Sequence, residues 1–175
     1  MRALEEIVWA VRPGSDSLQS LVEYIAHFAN ELFADATTRC RLDLPHDLPA
    51  RTLPPEMRHN IFLIVKEALT NVFRHASAQE VQVRAKATAR SLEIFVQDNG
   101  KGFVPQSVSA DLGRHGLSNM RRRAESIDGI LTTQTKLGEG TTIRLEVEFP
   151  ASDGKGEFES IQPSRILPGN SQIRR

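Results

Sequence analysis

Residues 81–87, 92–98 and 143–149 alternate apolar and polar side chains. Val81, Val83, Ala85 and Ala87 mark the first run, Leu92, Ile94 and Val96 the second, and Ile143, Leu145, Val147 and Phe149 the third. A period of two puts each apolar set on one face of a pleated strand. A sheet with one apolar face must bury it under a second layer, so these runs restrict the chain to layered architectures. Thr88–Arg90 is short and polar and joins the first two runs as a hairpin. Gly138-Glu139-Gly140 turns a strand over Ile130–Thr135 into the last run. Cys40, Leu42 and Leu44 alternate with Arg39, Arg41 and Asp43, which predicts one further half-buried strand.

The second layer is helical. Leu18, Leu21, Val22, Ile25, Phe28, Ala29, Leu32 and Phe33 recur at helical spacing, with Asp16 as N-cap, Gln19 as its capping-box partner and an end near residue 35. Pro55 suits the first turn of a helix carrying Met57, Ile61, Ile64, Val65, Ala68, Leu69 and Val72 and ending near His75-Ala76. Leu117, Met120, Ala124 and Ile127 predict a third. Strands and helices in this order give an α+β sandwich. Leu4, Ile7, Val8 and Val11 form a further stripe, ended by Pro13-Gly14, that reads as the last turns of a helix. Beyond Pro150, nine of the 25 residues are Pro, Gly or Ser without a periodic apolar face, which predicts a disordered or loosely attached tail. The expected division is therefore 1–13, 14–150 and 151–175.

Of the 175 residues, 39% are hydrophobic and 25% charged, an ordinary soluble balance. Twenty-two basic residues offset 22 acidic ones, so no global charge draws the chain to nucleic acid or to an anionic membrane, and neither is expected as a partner. No apolar run reaches the ~20 residues that cross a bilayer. A single cysteine, Cys40, excludes an internal disulfide framework and a multi-cysteine metal site.

Four constellations carry chemistry. On the helix from Pro55, Asn71 falls about 40° from Glu67, Arg74 about 20° to the other side, and His75 about 80° away. A carboxylate, an amide oxygen and two cationic groups on one edge suit a metal–phosphate ligand, the amide oxygen serving Mg²⁺. A solvated helix edge is the plainer account of the same residues. Asp98, in Asp98-Asn99-Gly100-Lys101-Gly102, shares the face of Leu92, Ile94 and Val96. A carboxylate ending an inward row needs a partner, and an adenine amino group is a suitable donor; a turn bonding its own backbone is the alternative. Gly113-Arg114-His115-Gly116-Leu117 puts glycines just before a helix, an arrangement suited to anions. Residues 103–113 before it are polar with few anchors and could form a lid. Gly138-Glu139-Gly140-Thr141 would bring the Thr141 hydroxyl beside Asp98.

In this order and spacing the four motifs resemble the catalytic ATP-binding domain of sensor histidine kinases, in the GHKL ATPase superfamily. The likeness is nearest to the subfamily paired with nitrate-response-type regulators. It covers about residues 16–150. Glu67…Asn71…Arg74-His75-Ala76 matches the N box, Asp98-Asn99-Gly100-Lys101-Gly102-Phe103 the first glycine box, and Gly113-Arg114-His115-Gly116-Leu117…Met120 the second. Gly140-Thr141 matches the final glycine–threonine pair. The resemblance implies a Bergerat-type two-layer sandwich with a mixed, largely antiparallel sheet. It further implies that Asp98 binds adenine with Thr141 nearby, and that Asn71 holds Mg²⁺. Arg74, His75, Lys101 and His115 would be candidates for the ATP phosphates. Gly100, Gly102, Gly113, Gly116 and Leu117 would shape the cradle, and Glu67 would polarise the attacking group.

A histidine kinase also needs an acceptor histidine on a helix, usually followed by an acid. His27, His59, His75 and His115 are followed by Phe, Asn, Ala and Gly, and His46-Asp47 lies between Pro45 and Pro49, where a helix is implausible. The expected partners are therefore a dimerisation and phosphoacceptor domain of a parent kinase and a response regulator. The chain would be a cytoplasmic fragment of a sensor that can be anchored to the inner membrane. A stand-alone GHKL ATPase, an anti-sigma-type serine kinase and a non-catalytic nucleotide-binding module remain the alternatives.

Overall fold

A computed structural model describes residues 16–104 and 114–150. Five strands, β1 (Arg39–Asp43), β2 (Glu80–Ala87), β3 (Ser91–Asp98), β4 (Ile130–Lys136) and β5 (Gly140–Glu148), form one sheet in the order β1-β2-β3-β5-β4. β1 runs parallel to β2, and every other pair is antiparallel. A parallel neighbour needs a crossover, and helix α2 (Pro55–Asn71) supplies it. Helices α1 (Leu18–Phe33) and α3 (Arg114–Glu125) flank α2 in the second layer. The predicted α+β sandwich with a mixed, largely antiparallel sheet is the fold observed.

The core lies between the layers. Val81, Val83, Leu92, Ile94, Val96, Leu145 and Val147 point from the sheet into Ile61, Ile64, Val65, Leu69, Leu21 and Ile25. The Phe62 ring fastens α1 to α2, lying 4.6 Å from Tyr24 and edge-on to Phe28 at 5.6 Å. The opposite sheet face is polar: Arg84 and Arg144 both lie over the Phe95 ring, and Arg144 Nε donates to Glu93 at 2.6 Å. Among the described residues no helix is long and apolar enough to cross a membrane.

Three local expectations need correction. The N-cap of α1 is Ser17 rather than Asp16, because its side chain accepts the Ser20 N–H at 3.1 Å. Gln19 bonds Glu23 instead of closing a capping box. That helix ends at Phe33 with Ala34 as its C-cap, in keeping with the expected end near residue 35. The α-helical winding of α2 stops at Asn71, and Val72–Ala76 continue as a π-helical turn capped by Ser77 in the left-handed region, φ 51°. The angles drawn for an ideal α-helix thus hold for Glu67 and Asn71 but not for Arg74 and His75. The sequence stretches 1–13 and 151–175 and most of the expected lid lie outside the described residues.

Candidate functional site

Where the C-terminal end of α2 meets the ends of β3 and β5, the two layers leave a cavity of about 670 Å³. That is within the usual range for small-molecule sites. Glu67 and Asn71 reach it from α2, and Arg74 and His75 from the π turn. Wider winding is frequent at functional sites, and here it carries the cationic pair past the last α-turn. Asp98, Lys101 and Gly102 line the cavity from β3 and the segment after it, Gly116 and Leu117 from α3, and Thr141 from β5. Gly100 stands just behind, donating its N–H to Asp98 Oδ1 at 2.8 Å. Gly113 lies outside the described residues, as do the side chains of Arg114 and His115.

Asp98 completes the buried row of β3 and is only 5% exposed. Burial pushes its carboxyl above the ordinary carboxylate range, and the N–H groups of Gly100 and Thr141 offset part of that shift. Asp98 and Thr141 are direct partners in the β3–β5 register. The positive φ of Gly140, 84°, allows its backbone to close against the Asp98 carbonyl, where a Cβ would overlap. Asn99 turns away from the cavity and accepts the N–H groups of Gln79 and Glu80 at 3.0 and 2.9 Å. This asparagine ties the glycine segment to the start of β2. Lys101 N–H donates to the Ala76 carbonyl at 2.8 Å, and Gly138 N–H donates to the Lys101 carbonyl at 2.8 Å. The glycine box is thus stitched between the π turn and the β4–β5 turn.

On the helical side, a Cβ at Gly116 would overlap the Glu67 carboxylate and lie 3.6 Å from Asn71 Nδ2. Glu67 and Asn71 therefore converge on the bare backbone of α3. Further down the same helix pair, Arg123 Nη1 donates to Asn60 Oδ1 at 3.1 Å. The four motifs, up to 74 positions apart in sequence from Glu67 to Thr141, meet around one space.

Sequence reasoning gave no site role to Val96 and Ile143 and placed Phe103 only at the end of the first glycine box; the three contribute to the apolar wall of the cavity. Their alternation marks Val96 and Ile143 as inward, and nothing in it distinguishes a cavity wall from the core. It also passed over Thr135 and the Asn60–Arg123 pair.

Residues 57–151, more than half of the chain, match the family described as histidine kinase-, DNA gyrase B- and HSP90-like ATPase. The sensor histidine kinase LiaS of Bacillus subtilis (strain 168) is 34% identical over 131 residues, 74% of this chain and 36% of LiaS. The nitrate/nitrite sensor protein NarQ of Escherichia coli (strain K12) is 29% identical over 158 residues, 88% of this chain and 26% of NarQ. The chain thus spans about a third or less of these two relatives. Among solved structures, the histidine kinase domain of the blue-light activated kinase from Erythrobacter litoralis EL346 superposes with a TM-score of 0.66 at 18% identity. That superposition covers 83% of this chain and 72% of the other, and it shows the shared fold. The chain belongs to the histidine kinase-, DNA gyrase B- and HSP90-like ATPase family, as an ATP-binding catalytic domain of the sensor histidine kinase kind.

Proposed function

We propose that this domain holds ATP with its adenine against Asp98 and Thr141 and its phosphates toward Asn71, Arg74, His75, Lys101 and Gly116. The γ-phosphate would go to an imidazole nitrogen on a separate dimerisation and phosphoacceptor domain, for relay to a response regulator. The carrying observation is the buried Asp98 carboxylate facing a cavity whose other wall bears Glu67 and Asn71. A buried acid keeps its place when a ligand donor or a fixed N–H compensates it, and an adenine amino group adds to the two N–H groups already there.

The donor set fits Mg²⁺ shared with the nucleotide. Among the described residues no three His, Cys, Asp or Glu side chains cluster to hold a metal alone. Asn71 and Glu67 offer hard oxygen donors, and Mg²⁺ commonly takes one or two protein ligands and completes its shell with phosphate and water. Asn71 would be the ligand. When bound, the ion would neutralise charge on the phosphates. Phosphoryl transfer needs mostly positioning and charge neutralisation, and Arg74, His75 and Lys101 add to both. Glu67, fixed beside Gly116, would orient the incoming imidazole. We place the domain in the cytoplasm, with ATP and the regulator.

The test is transfer of label from ATP. The chain alone should acquire no acid-labile, base-stable phosphate: His27 is exposed on α1 and does not line the cavity, His46 sits in an exposed loop, and His75 lines the nucleotide site itself. Adding a separate histidine-bearing helical domain from the parent protein should produce such label on that domain only. Stoichiometric phosphohistidine on this chain, acid-stable phosphoserine on an added protein, or release of free phosphate alone would each overturn the reading.

A further inference from the structure

The β4 residue Thr135 does not line the cavity, yet its hydroxyl sits where three parts of the site join. Oγ1 accepts the Phe103 N–H at 3.0 Å, immediately after the first glycine box. It also lies 3.2 Å from the Gly140 carbonyl, 3.4 Å from the Phe103 carbonyl and 3.2 Å from Thr141 Oγ1. The β4–β5 register makes Thr135 the direct partner of Thr141, and the β3–β5 register makes Thr141 the partner of Asp98. One row across three strands therefore runs Thr135, Thr141, Asp98.

Hydrogen-bond accounting leaves that row two arrangements. A hydroxyl has one proton and two lone pairs. The Phe103 N–H can only donate, so it occupies one lone pair of Thr135. The proton of Thr135 then goes to a backbone carbonyl or to Thr141. Sent to a carbonyl, it leaves Thr141 as the donor if the bond between the two hydroxyls is kept, and Thr141 then shows the cavity only lone pairs. Sent to Thr141, it frees the Thr141 proton for the cavity. An ionised Asp98 can only accept. The pairing edge of adenine presents a donor, its amino group, beside an acceptor, the adjacent ring nitrogen. An acceptor next to a donor complements it; two acceptors do not.

We propose that Thr135 is a positioning residue for base recognition: its hydroxyl donates to Thr141 and aims the Thr141 proton at the base that Asp98 selects. The inference rests on ATP occupying this cavity. Thr135→Val keeps the β-branched shape and removes the hydroxyl, and Thr135→Ser keeps the hydroxyl. In the full chain, calorimetry with ATP and inosine triphosphate should show about a three- to twelvefold loss of ATP affinity for the valine variant, the size of one hydrogen bond. Inosine triphosphate, with a carbonyl in place of the amino group, should change little, so base selectivity narrows. The serine variant should bind ATP within about twofold of the parent, since its hydroxyl offers the same donor. Because Thr135 acts through Thr141, Thr135→Val/Thr141→Val should bind ATP no more weakly than Thr141→Val alone. Should the valine variant fail to fold, the same cycle is run with Thr135→Ala. Equal losses for both nucleotides, no rescue by serine, or additive losses in the double variant would overturn the proposal. A parent chain that binds no ATP would instead overturn the functional reading beneath it.

Discussion

Asp98 is a residue whose burial works against the apo fold and for the ligand. Its native pKa is raised above the ordinary 3.8, chiefly by desolvation. Between the ordinary value and the raised one, the folded chain binds more protons than the unfolded chain, so stability falls as pH rises through that window. The amide of an Asp98→Asn variant does not titrate. The unfolding free energy of the parent relative to Asp98→Asn should therefore decline from about pH 4 upward and level off above the native pKa. Urea titrations of both chains at several pH values would measure it, and a rising difference would refute the burial argument. ATP should show the opposite trend, because its amino group donates best to the ionised acid. At neutral pH the variant should lose about 1.5–3 kcal/mol of ATP affinity, the range for a charged acceptor. The position of Asp98 was legible in the sequence because period two makes a buried acid conspicuous. Thr135 was not legible, since a threonine in the polar run Thr132–Thr135 looks like its neighbours until the strand register pairs it with Thr141.

At the scale of elements, α2 and α3 pack antiparallel and meet through polar groups as well as apolar ones. Asn60 meets Arg123 and Glu67 meets Gly116, so on each helix about two turns separate the contacts. The equal spacing sets one register for the pair. Asn60 is buried, and Arg123 is the donor that satisfies its carbonyl. Arg123→Ala should cost about 1–3 kcal/mol, because Asn60 Oδ1 then stays buried with that bond lost. Adding Asn60→Leu should recover part of it by removing the stranded polar group. Denaturant midpoints of the single and double variants check this; a double variant weaker than the arginine variant would show that the bond is not what matters. Helix positions were legible because apolar residues recur at helical spacing in each. The π winding of Val72–Ala76 was not, since its residues continue the α pattern without Pro or Gly, and packing of Ala76 against the glycine box overrides that local preference.

Across the whole molecule, strand order was the least legible feature. Sequence neighbours β3 and β4 are separated in space by β5, and only long-range pairing creates the Asp98–Thr141 row. The same topology gives the domain two ends. Asn71, Asp98 and Gly140 are at the cavity end, while the start of α2, Ser91 and Glu148 are at the other. At that far end Leu53 N–H donates to the Asp16 carbonyl at 2.7 Å and Leu18 N–H to the Arg51 carbonyl at 2.8 Å. The Arg51 guanidinium donates to the Pro150 carbonyl and lies 5.4 Å from the centre of the Phe149 ring. Residues 16–18, 51–53 and 149–150 thus form one junction, and α2, 17 residues or about 25 Å long, separates it from the cavity. Arg51→Ala should cost about 1–2 kcal/mol, from a lost charge-assisted bond and a ring contact. Sites this far apart without shared partners usually act independently, so ATP affinity should stay within about twofold. Thermal unfolding and calorimetry on the same preparation test both halves. A tenfold loss of ATP affinity would show instead that α2 transmits displacement of the junction to Glu67 and Asn71, and the core between the two ends would then be a lever rather than a buffer.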